Sequence, residues 1–416
     1  MKEIKGGRLL FLAFAAAMGG FLFGYDTAVI NGGEQQIQQV WNLSGLLHGW
    51  VMSSALWGTV LGALFGGKVC DRLGRKPTLF WVGVLYLVSA AWSGLAVGPW
   101  DLMVARFVGG LGVGASSIAA PVYISEIAPA ARRGQLGGLF QFNIVLGMVV
   151  SQFVNWAIGT AGLGDATWRW MLGAEAVPAL AFTVVCLFLE ESPRWRGKGE
   201  TSVTSETSGT SGSGRFFSRA NRRPILLAFC VAMFNQLSGI NAMMYFAKRV
   251  FEMAGMSASA ALGTAAALSV VLGLGTFAGL FLIDRLGRRQ LLIVGTIGCI
   301  VAHFATAAAF LLNWGLMAAL CIFPFIVFFA VGQGVVIWVF ISEIFPQRFR
   351  AQGQSWGSFT HWTFCAALTF VFPLMAVKWA PWAIFGFFGL CLVGHLAWVV
   401  FICPETKGKS LEEIKL

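Results

Sequence analysis

Two side chains of opposite charge lie inside long apolar stretches of the chain. Asp26 lies in the stretch GGFLFGYDTAVI, and Arg106 begins the stretch RFVGGLGVG. A lone charge at the centre of an apolar membrane helix costs about 2.5–3.5 kcal/mol, so such charges tend to be paired and functional. Arginine beside aspartate favours the ionised carboxylate, and protonation releases the pair. The two residues predict a proton site; the alternative is a permanent structural ion pair at a helix end.

Charged residues also recur as two similar sets in the two halves of the chain. The first set is Asp71, Arg75, Glu126, Arg133 and Glu191, and the second is Asp284, Arg288, Glu343, Arg350 and Glu405. Exposed ion pairs between helix ends are worth about 0–1 kcal/mol each. Such weak pairs suit a latch that opens and closes in every cycle. The alternative is that the basic loops only fix the membrane topology.

The elements that carry these residues are read from the composition. The 416 residues are 57% hydrophobic and 11% charged, whereas soluble domains are usually about 25% charged. A membrane-spanning helix needs about 20 mostly apolar residues. Twelve such runs are present, at 8–30, 48–70, 78–98, 101–124, 136–160, 168–190, 224–247, 259–283, 290–312, 315–341, 355–377 and 380–402. The sequence predicts an all-α membrane protein with twelve transmembrane helices.

The distribution of charge predicts the orientation in the membrane. Lysine and arginine cluster before the first run and after each even-numbered run. Because positive charge is retained on the cytoplasmic side, both termini are expected in the cytoplasm. The net charge of +11 is thereby explained without nucleic acid. No nucleophile–base pair suggests an enzyme, and the eight cysteines show no metal-ligand spacing, so neither a metal nor a cofactor is expected.

The chain divides into two matching halves. The polar stretch GETSVTSETSGTSGSG (199–214) has the composition of a flexible linker and separates six runs from six. We therefore predict an N-terminal half at 1–195, a cytoplasmic linker at 196–223 and a C-terminal half at 224–416. The near-constant spacing between the two charged sets indicates parallel structural repeats, that is, two pseudo-symmetric six-helix bundles.

A series of motifs carries a family resemblance. In chain order they are GGFLFGYDTAVI (19–30), DRLGRK (71–76), RFVGGLGVG (106–114), PVYISEIAP (121–129), ESPRW (191–195), NQLSGIN (235–241), DRLGRR (284–289), ISEIFP (341–346) and PETKGKSLEE (404–413). The chain resembles the sugar porter family of the major facilitator superfamily, which includes proton-coupled bacterial sugar symporters and animal glucose facilitators. The resemblance implies a cavity between the halves that opens alternately to each side, and a cytoplasmic gate braced by the two charged sets. The linker is short and polar compared with the helical bundle that joins the halves in the family.

The resemblance also implies roles for individual residues. Proton-coupled members carry an acid at the position of Asp26 and an arginine at that of Arg106, whereas facilitators typically have asparagine for the acid. Some symporters carry an acid at Glu175, which either assists the proton site or is only a packed, hydrogen-bonded side chain. The implied sugar-binding residues are Gln141, Gln236, Asn241 and the stacking aromatic Trp338.

Other candidates for the sugar site follow from position. Gly239 permits a local break in the seventh run, and Asn241 and Tyr245 share a helix face because they are four residues apart. Phe23 is a candidate to close the cavity. Amides and aromatic rings suit a sugar, because hydroxyls both donate and accept hydrogen bonds and the C–H face packs on a ring. The alternative is that the amides only join helices.

The chain departs from the family pattern at several of these positions. The usual Gln-Gln pair is Asn235-Gln236, the usual asparagine of the eighth run is Leu272, and the Gly-Pro-rich segment is GQGVVIW (332–338). His361 stands where the family has asparagine or glutamine. It is read either as a neutral substitute for the amide or as a group that titrates near neutral pH.

The resulting hypothesis is proton-coupled symport of a monosaccharide by alternating access. The expected partners are the sugar, the proton and the lipid bilayer, and the expected location is the cell membrane, as a multi-pass monomer. Three alternatives are a sugar uniporter, a transporter of a polyol and a non-transporting sugar sensor.

Overall fold

The computed structural model describes residues 6–129, 133–192, 195, 216–346 and 349–407. Within these ranges the secondary structure is helical, with no strand. The helices are α1 (Gly6–Val40), α2 (Gly45–Leu73), α3 (Arg75–Leu95), α4 (Pro99–Ile127), α5 (Arg133–Thr160), α6 (Thr167–Ala174), α7 (Ala176–Leu187), α8 (Arg222–Leu237), α9 (Ile240–Tyr245), α10 (Ala247–Met253), α11 (Ala258–Leu286), α12 (Arg288–Leu311), α13 (Gly315–Phe329), α14 (Val335–Ile344), α15 (Arg350–Lys378) and α16 (Pro381–Phe401).

Twelve segments of the described chain are long and apolar enough to cross a membrane. Three of them are interrupted: α6 and α7 form the sixth span, α8 and α9 the seventh, and α13 and α14 the tenth, with a π-helical turn at Ala330–Gly334. Large apolar side chains such as Trp81, Phe281 and Phe401 are exposed along the spans, as expected where the solvent is lipid. The prediction of an all-α, twelve-span protein is confirmed. The cytoplasmic location of the two ends stays a prediction.

The contacts divide the chain into two compact units. The N unit comprises Met1–Trp41 and Ser54–Gly214, and the C unit comprises Asn42–Ser53 and Arg215–Leu416. The first turns of α2 therefore pack within the C unit, which the sequence does not indicate. The domain boundaries at 1–195, 196–223 and 224–416 stay predictions, and linker residues 196–215 lie outside the described residues.

Helices of the N unit pack closely where glycines remove side-chain bulk. α1 packs along α5, and α3 packs against α4 and α7. On α2, Gly58 and Gly62 face Gly110 and Gly114 of α4, so that a Cβ atom at any of these positions would collide with backbone atoms. Small residues at matching positions of two spans thus permit close packing of α2 against α4.

The C unit contains the break expected in the seventh span. α8 ends at Leu237, Gly239 has a φ of 84°, and α9 begins at Ile240. A positive φ is readily adopted by glycine, which explains the residue type at the break. The last part of the predicted linker also packs on this unit, since the Phe216 ring stacks on Phe345 with centroids 5.6 Å apart.

Candidate functional site

The first charged set forms a compact cluster where α2, α3 and α4 end or begin. The guanidinium of Arg75 donates from Nε to Glu126 Oε2 (3.0 Å) and from Nη2 to Glu126 Oε1 (2.9 Å). Ser192 Oγ donates to the same carboxylate at 2.5 Å, and Asp71 lies 3.1 Å from Arg75 Nη2. Such two-pronged arginine–carboxylate pairs fix geometry as well as charge. We call this group, with Glu191, the N-unit arginine cluster.

Glu191 has a different role from an ion-pair partner. Its carboxylate accepts hydrogen bonds from the backbone N–H groups of Arg75 (3.0 Å) and Lys76 (3.3 Å), the first residues of α3. A carboxylate at a helix N-terminus satisfies orphan N–H groups and interacts favourably with the helix dipole. Gly74, with a φ of 99°, is required here, because a side chain would occupy the position of the Glu191 carboxylate. Glu191 therefore caps α3.

The second charged set repeats these contacts in the C unit. Arg288 Nε donates to Glu343 Oε2 (3.0 Å) and Nη2 to Glu343 Oε1 (2.8 Å), while Thr406 Oγ1 donates to Glu343 at 2.6 Å. Glu405 accepts the backbone N–H groups of Arg288 and Arg289, both at 3.0 Å, and so caps α12. We call this group the C-unit arginine cluster.

The capping contacts lower the pKa of the Glu405 carboxyl. Burial alone would raise the pKa of this carboxyl, but backbone N–H donors, among them those of Lys407 and Arg288, hold its pKa below the usual value. The carboxylate form is thus the one that the folded chain stabilises.

The clusters differ from the exposed latch that the sequence predicts. The Arg75 side chain is only 5% exposed and Glu126 13%, so this pair is largely withdrawn from water. Of the other predicted gate residues, the side chains of Arg133, Asp284 and Arg350 lie outside the described residues.

A group of three charged side chains lies inside membrane spans of the N unit. Arg106 on α4 donates from Nη1 to Asp26 Oδ1 (2.5 Å) and from Nη2 to the Asp26 backbone oxygen (2.9 Å). Glu175, between α6 and α7, lies close enough to the Asp26 carboxyl for the two groups to interact electrostatically. All three side chains are buried. The structure therefore brings Asp26, Arg106 and Glu175 together.

Two further polar residues of α3 surround this charged group and were not found from the sequence. The Tyr86 ring is buried close enough to interact with Asp26 and Glu175. Ser89 faces Gly109 of α4, where an added Cβ atom would also lie 3.5 Å from Asp26 Oδ1. Their position three residues apart on one face of α3 is the only sequence signal that could have indicated them.

Of the predicted sugar-binding residues, Phe23 and Gln141 belong to the N unit. Phe23 lies on α1 and its backbone oxygen accepts Thr27 Oγ1 at 2.8 Å. Gln141 lies on α5, and both side chains are partly buried. On the same two helices, Asn31 Nδ2 donates to Gln152 Oε1 (3.1 Å) and Asn155 Nδ2 to the Val29 backbone oxygen (2.9 Å), so several amides join α1 to α5.

The remaining predicted residues form a connected group in the C unit. Asn241 Nδ2 donates to Gln236 Oε1 across the break at Gly239 (2.5 Å), and Gln236 Nε2 donates to Asn235 Oδ1 (3.2 Å). The same Gln236 nitrogen lies 3.0 Å from His361 Nδ1. Each amide is therefore oriented by another member of the group.

Two aromatic residues complete the predicted set in the C unit. The Trp338 ring lies 5.0 Å from the His361 ring at an angle of 55°. Tyr245 is the last residue of α9 and is buried. We call Asn235, Gln236, Asn241, Trp338 and His361 the C-unit amide group.

Gln333 is a polar residue beside this group that was not predicted from the sequence. It lies in the π-helical turn that replaces the Gly-Pro-rich segment typical of the family. Its backbone oxygen accepts Asn235 Nδ2 at 3.4 Å, while its buried side-chain amide has no hydrogen-bond partner among the described residues. A π-helical turn is a common feature of functional sites.

A twelve-span protein with repeated clusters, buried charges and a buried amide group belongs to the class of membrane transporters. The family model "Sugar (and other) transporter" matches residues 12–202 and 196–416. The chain therefore belongs to this family, the sugar porters of the major facilitator superfamily. It is a multi-pass plasma-membrane transporter and not an enzyme.

Individual relatives are similar along nearly the whole chain. An arabinose-proton symporter of Bacillus subtilis is 34% identical over 439 residues, covering 98% of this chain and 95% of the relative. A D-xylose-proton symporter of Escherichia coli is 31% identical over 468 residues, covering 97% and 94%. The inward-open structure of the xylose transporter of Escherichia coli has a TM-score of 0.86 at 29% identity and covers 97% of this chain and 98% of that chain.

Proposed function

We propose that the protein is a proton-coupled symporter of a monosaccharide that works by alternating access. The observation that carries the proposal is the buried contact of Arg106 with Asp26, with Glu175 beside them. Support for the substrate class comes from the similar arabinose-proton and D-xylose-proton symporters.

The charge balance of Asp26, Arg106 and Glu175 favours the binding of one proton. Two carboxyls and one guanidinium would carry a net negative charge if all three were ionised, and a buried net charge is strongly unfavourable. One proton shared between Asp26 and Glu175 makes the group neutral, and neighbouring buried carboxyls commonly share one proton. Asp26 is the proposed proton carrier, because its protonation would break the ion pair with Arg106.

Loading and release of the proton would act through Arg106. Protonation of Asp26 removes the negative charge that Arg106 Nη1 contacts and so weakens the link between α1 and α4, while the bond from Nη2 to the Asp26 backbone oxygen is retained. Such a link can bias a conformational equilibrium because its strength differs between the two protonation states. One proton moving through 100 mV contributes about 2.3 kcal/mol, which supports roughly fifty-fold accumulation.

The C-unit amide group is the proposed sugar site. Its amides supply both donors and acceptors to hydroxyls, and the Trp338 ring supplies an apolar face. Gln236 is held by Asn241 and Asn235 and lies against His361, so its donor and acceptor directions are set before a ligand arrives. Such preorganisation lowers the cost of binding. Phe23, Gln141 and Tyr245 are proposed as further contributors.

The two arginine clusters are the proposed gate. Each ties the start of one helix, α3 or α12, to an acid on a neighbouring span and to the segment after the last span of its unit. A cluster of this kind can be broken or rearranged as a unit.

The test is uptake into proteoliposomes of the purified protein. Labelled pentoses, hexoses and polyols are offered with and without an imposed inward proton gradient. The proposal expects at least one monosaccharide to accumulate above its external concentration only when the gradient is present. Equilibration without accumulation would indicate a uniporter, uptake of polyols alone would change the substrate class, and no uptake would overturn the proposal.

A further inference from the structure

The break in the seventh span leaves backbone groups that need partners outside their own helix. α8 ends at Leu237 and α9 begins at Ile240, so carbonyl groups near the break lack the usual helical donor. The Ser238 carbonyl oxygen lies 2.9 Å from His303 Nε2, a residue of α12 that is distant in sequence. Since a carbonyl oxygen only accepts, Nε2 must carry the proton and donate.

The His303 ring is held in one orientation by its surroundings. The side chain is buried, and its ring centroid lies 4.3 Å from that of Phe325, 5.8 Å from Phe385 and 5.9 Å from Phe388. Phe388 also occupies the space that a side chain at Gly239 would need. The imidazole, Phe388 and the break residue therefore pack as one unit.

Ser238 strengthens the same junction with its side chain. Its Oγ donates to the Asn235 backbone oxygen (2.6 Å) and accepts the Ile240 N–H at 3.4 Å. The hydroxyl thus bridges the end of α8 and the start of α9, while His303 holds the carbonyl of the same residue. Together these bonds fix the angle at which α9 leaves α8.

This angle sets the positions of two amides of the C-unit amide group. Gln236 lies before the break and Asn241 after it, and they are joined directly by a hydrogen bond of 2.5 Å. A change in the direction of α9 would move Asn241 relative to Gln236. The separation of their donor and acceptor groups therefore depends on the junction at Ser238.

We propose that His303 is a positioning residue, whose N–H donation to Ser238 holds the break and thereby sets the spacing of the sugar-binding amides. The role in sugar recognition rests on the proposed function above. The role in holding the break does not, because it concerns only the contact of α12 with the α8–α9 junction.

The test compares three variants with the wild type in lipid nanodiscs and proteoliposomes. His303→Phe keeps an aromatic ring but removes the donor, and His303→Gln keeps an N–H donor of similar reach. His395→Phe is the matched control, because His395 is equally buried but bonds Thr296 Oγ1 (3.0 Å) and not the break. Hydrogen–deuterium exchange over 239–246 and the KM and maximal rate of sugar uptake are measured.

The expected effects on exchange and on KM depend on the N–H donor at position 303. In His303→Phe, backbone exchange over 239–246 rises and the KM for the sugar increases roughly three- to tenfold, the loss of one net hydrogen bond, while the maximal rate is retained. His303→Gln restores both values, and His395→Phe leaves the exchange over 239–246 unchanged. Unchanged exchange in His303→Phe, or the absence of rescue by His303→Gln, would overturn the proposal.

The wild-type protein offers a second measurement should His303→Phe fail to fold. The ¹⁵N shifts of His303, assigned by comparison with His303→Gln, report the tautomer directly, and Nε2 protonation is expected. Protonation at Nδ1 alone would contradict the proposal. If the wild type transports no sugar but exchange rises as expected in His303→Phe, the break-holding role stands and only the proposed function fails.

Discussion

The interiors of the two units contain different chemistry. In the described part of the chain, every buried charged side chain belongs to the N unit, among them Asp26, Arg106 and Glu175. Both units bury amides, such as Asn31 in the N unit and Gln236 in the C unit, and all four histidines of the chain belong to the C unit. A charged group suits a proton, and neutral amides suit an uncharged polyhydroxylated molecule. The proposed function assigns the proton to the N-unit charges and the sugar to the C-unit amide group.

The arginine clusters show the opposite relation. Arg75 and Arg288 make the same two-pronged contact with a glutamate, and a hydroxyl from Ser192 or Thr406 completes each cluster. The repeat is thus conserved in its contacts at the helix ends and divergent in its interior. The proposed gate, which must operate in both units, is therefore expected at the two arginine clusters.

Removal of Arg106 is expected to give the largest effect. Arg106→Leu leaves Asp26 and Glu175 buried without a cation, which should lower the free energy of unfolding by about 3–5 kcal/mol and abolish proton-driven accumulation. Chemical unfolding and uptake measure the two effects. Arg169→Leu is the control, since Arg169 bonds the backbone oxygen of Ala96 (2.6 Å) rather than a buried acid. An Arg106→Leu protein as stable as the wild type would contradict the idea that Arg106 stabilises the buried acids of the N unit.

A smaller and selective effect is expected in the C unit. Asn241→Leu leaves Gln236 Oε1 without its donor and removes an amide from the proposed sugar site. The KM for the sugar should rise about 10- to 100-fold, while uptake continues to depend on the proton gradient. In the N unit, Asn143→Leu serves as the control, because among the described residues its amide bonds the backbone oxygen of Leu139 on its own helix (2.9 Å). An unchanged KM in Asn241→Leu would mean that the C-unit amides only join helices.

The smallest effect compares the two arginine clusters. Lysine cannot make the two-pronged contact, so Arg75→Lys and Arg288→Lys should both lower stability. The loss should be about 1–2 kcal/mol for Arg75 and less for Arg288, since burial strengthens a hydrogen bond to a charged group. The Arg75–Glu126 side chains are 5% and 13% exposed, against 11% and 28% for Arg288–Glu343. A larger loss in Arg288→Lys, measured by thermal unfolding, would show that burial does not set the strength of the clusters.

The fold could be predicted because a bilayer restricts the choices. Backbone groups in lipid must bond within their own segment, so apolar runs of sufficient length are necessarily helices. The break at Gly239 was also predictable, because a glycine in an amide-rich segment of a span permits a local change of direction.

The contacts that depend on distant side chains were not predictable. Nothing in the sequence around Glu191 and Glu405 shows that each carboxylate caps a helix and does not serve as an ion-pair partner. The bond of His303 to Ser238 joins residues of separate spans that no motif connects. The π-helical turn around Gln333 occurs where the family pattern is absent, so the resemblance gave no expectation for it.

The central claim, that the N-unit charges drive what the C-unit amides bind, is tested most directly with Asp26→Asn. The internal-to-external ratio of labelled sugar is measured in proteoliposomes with an imposed inward proton gradient, alongside exchange of sugar at equal concentrations. We predict that the variant continues to exchange sugar but that its ratio stays at one, whereas the wild type accumulates. Full accumulation by Asp26→Asn would contradict the account.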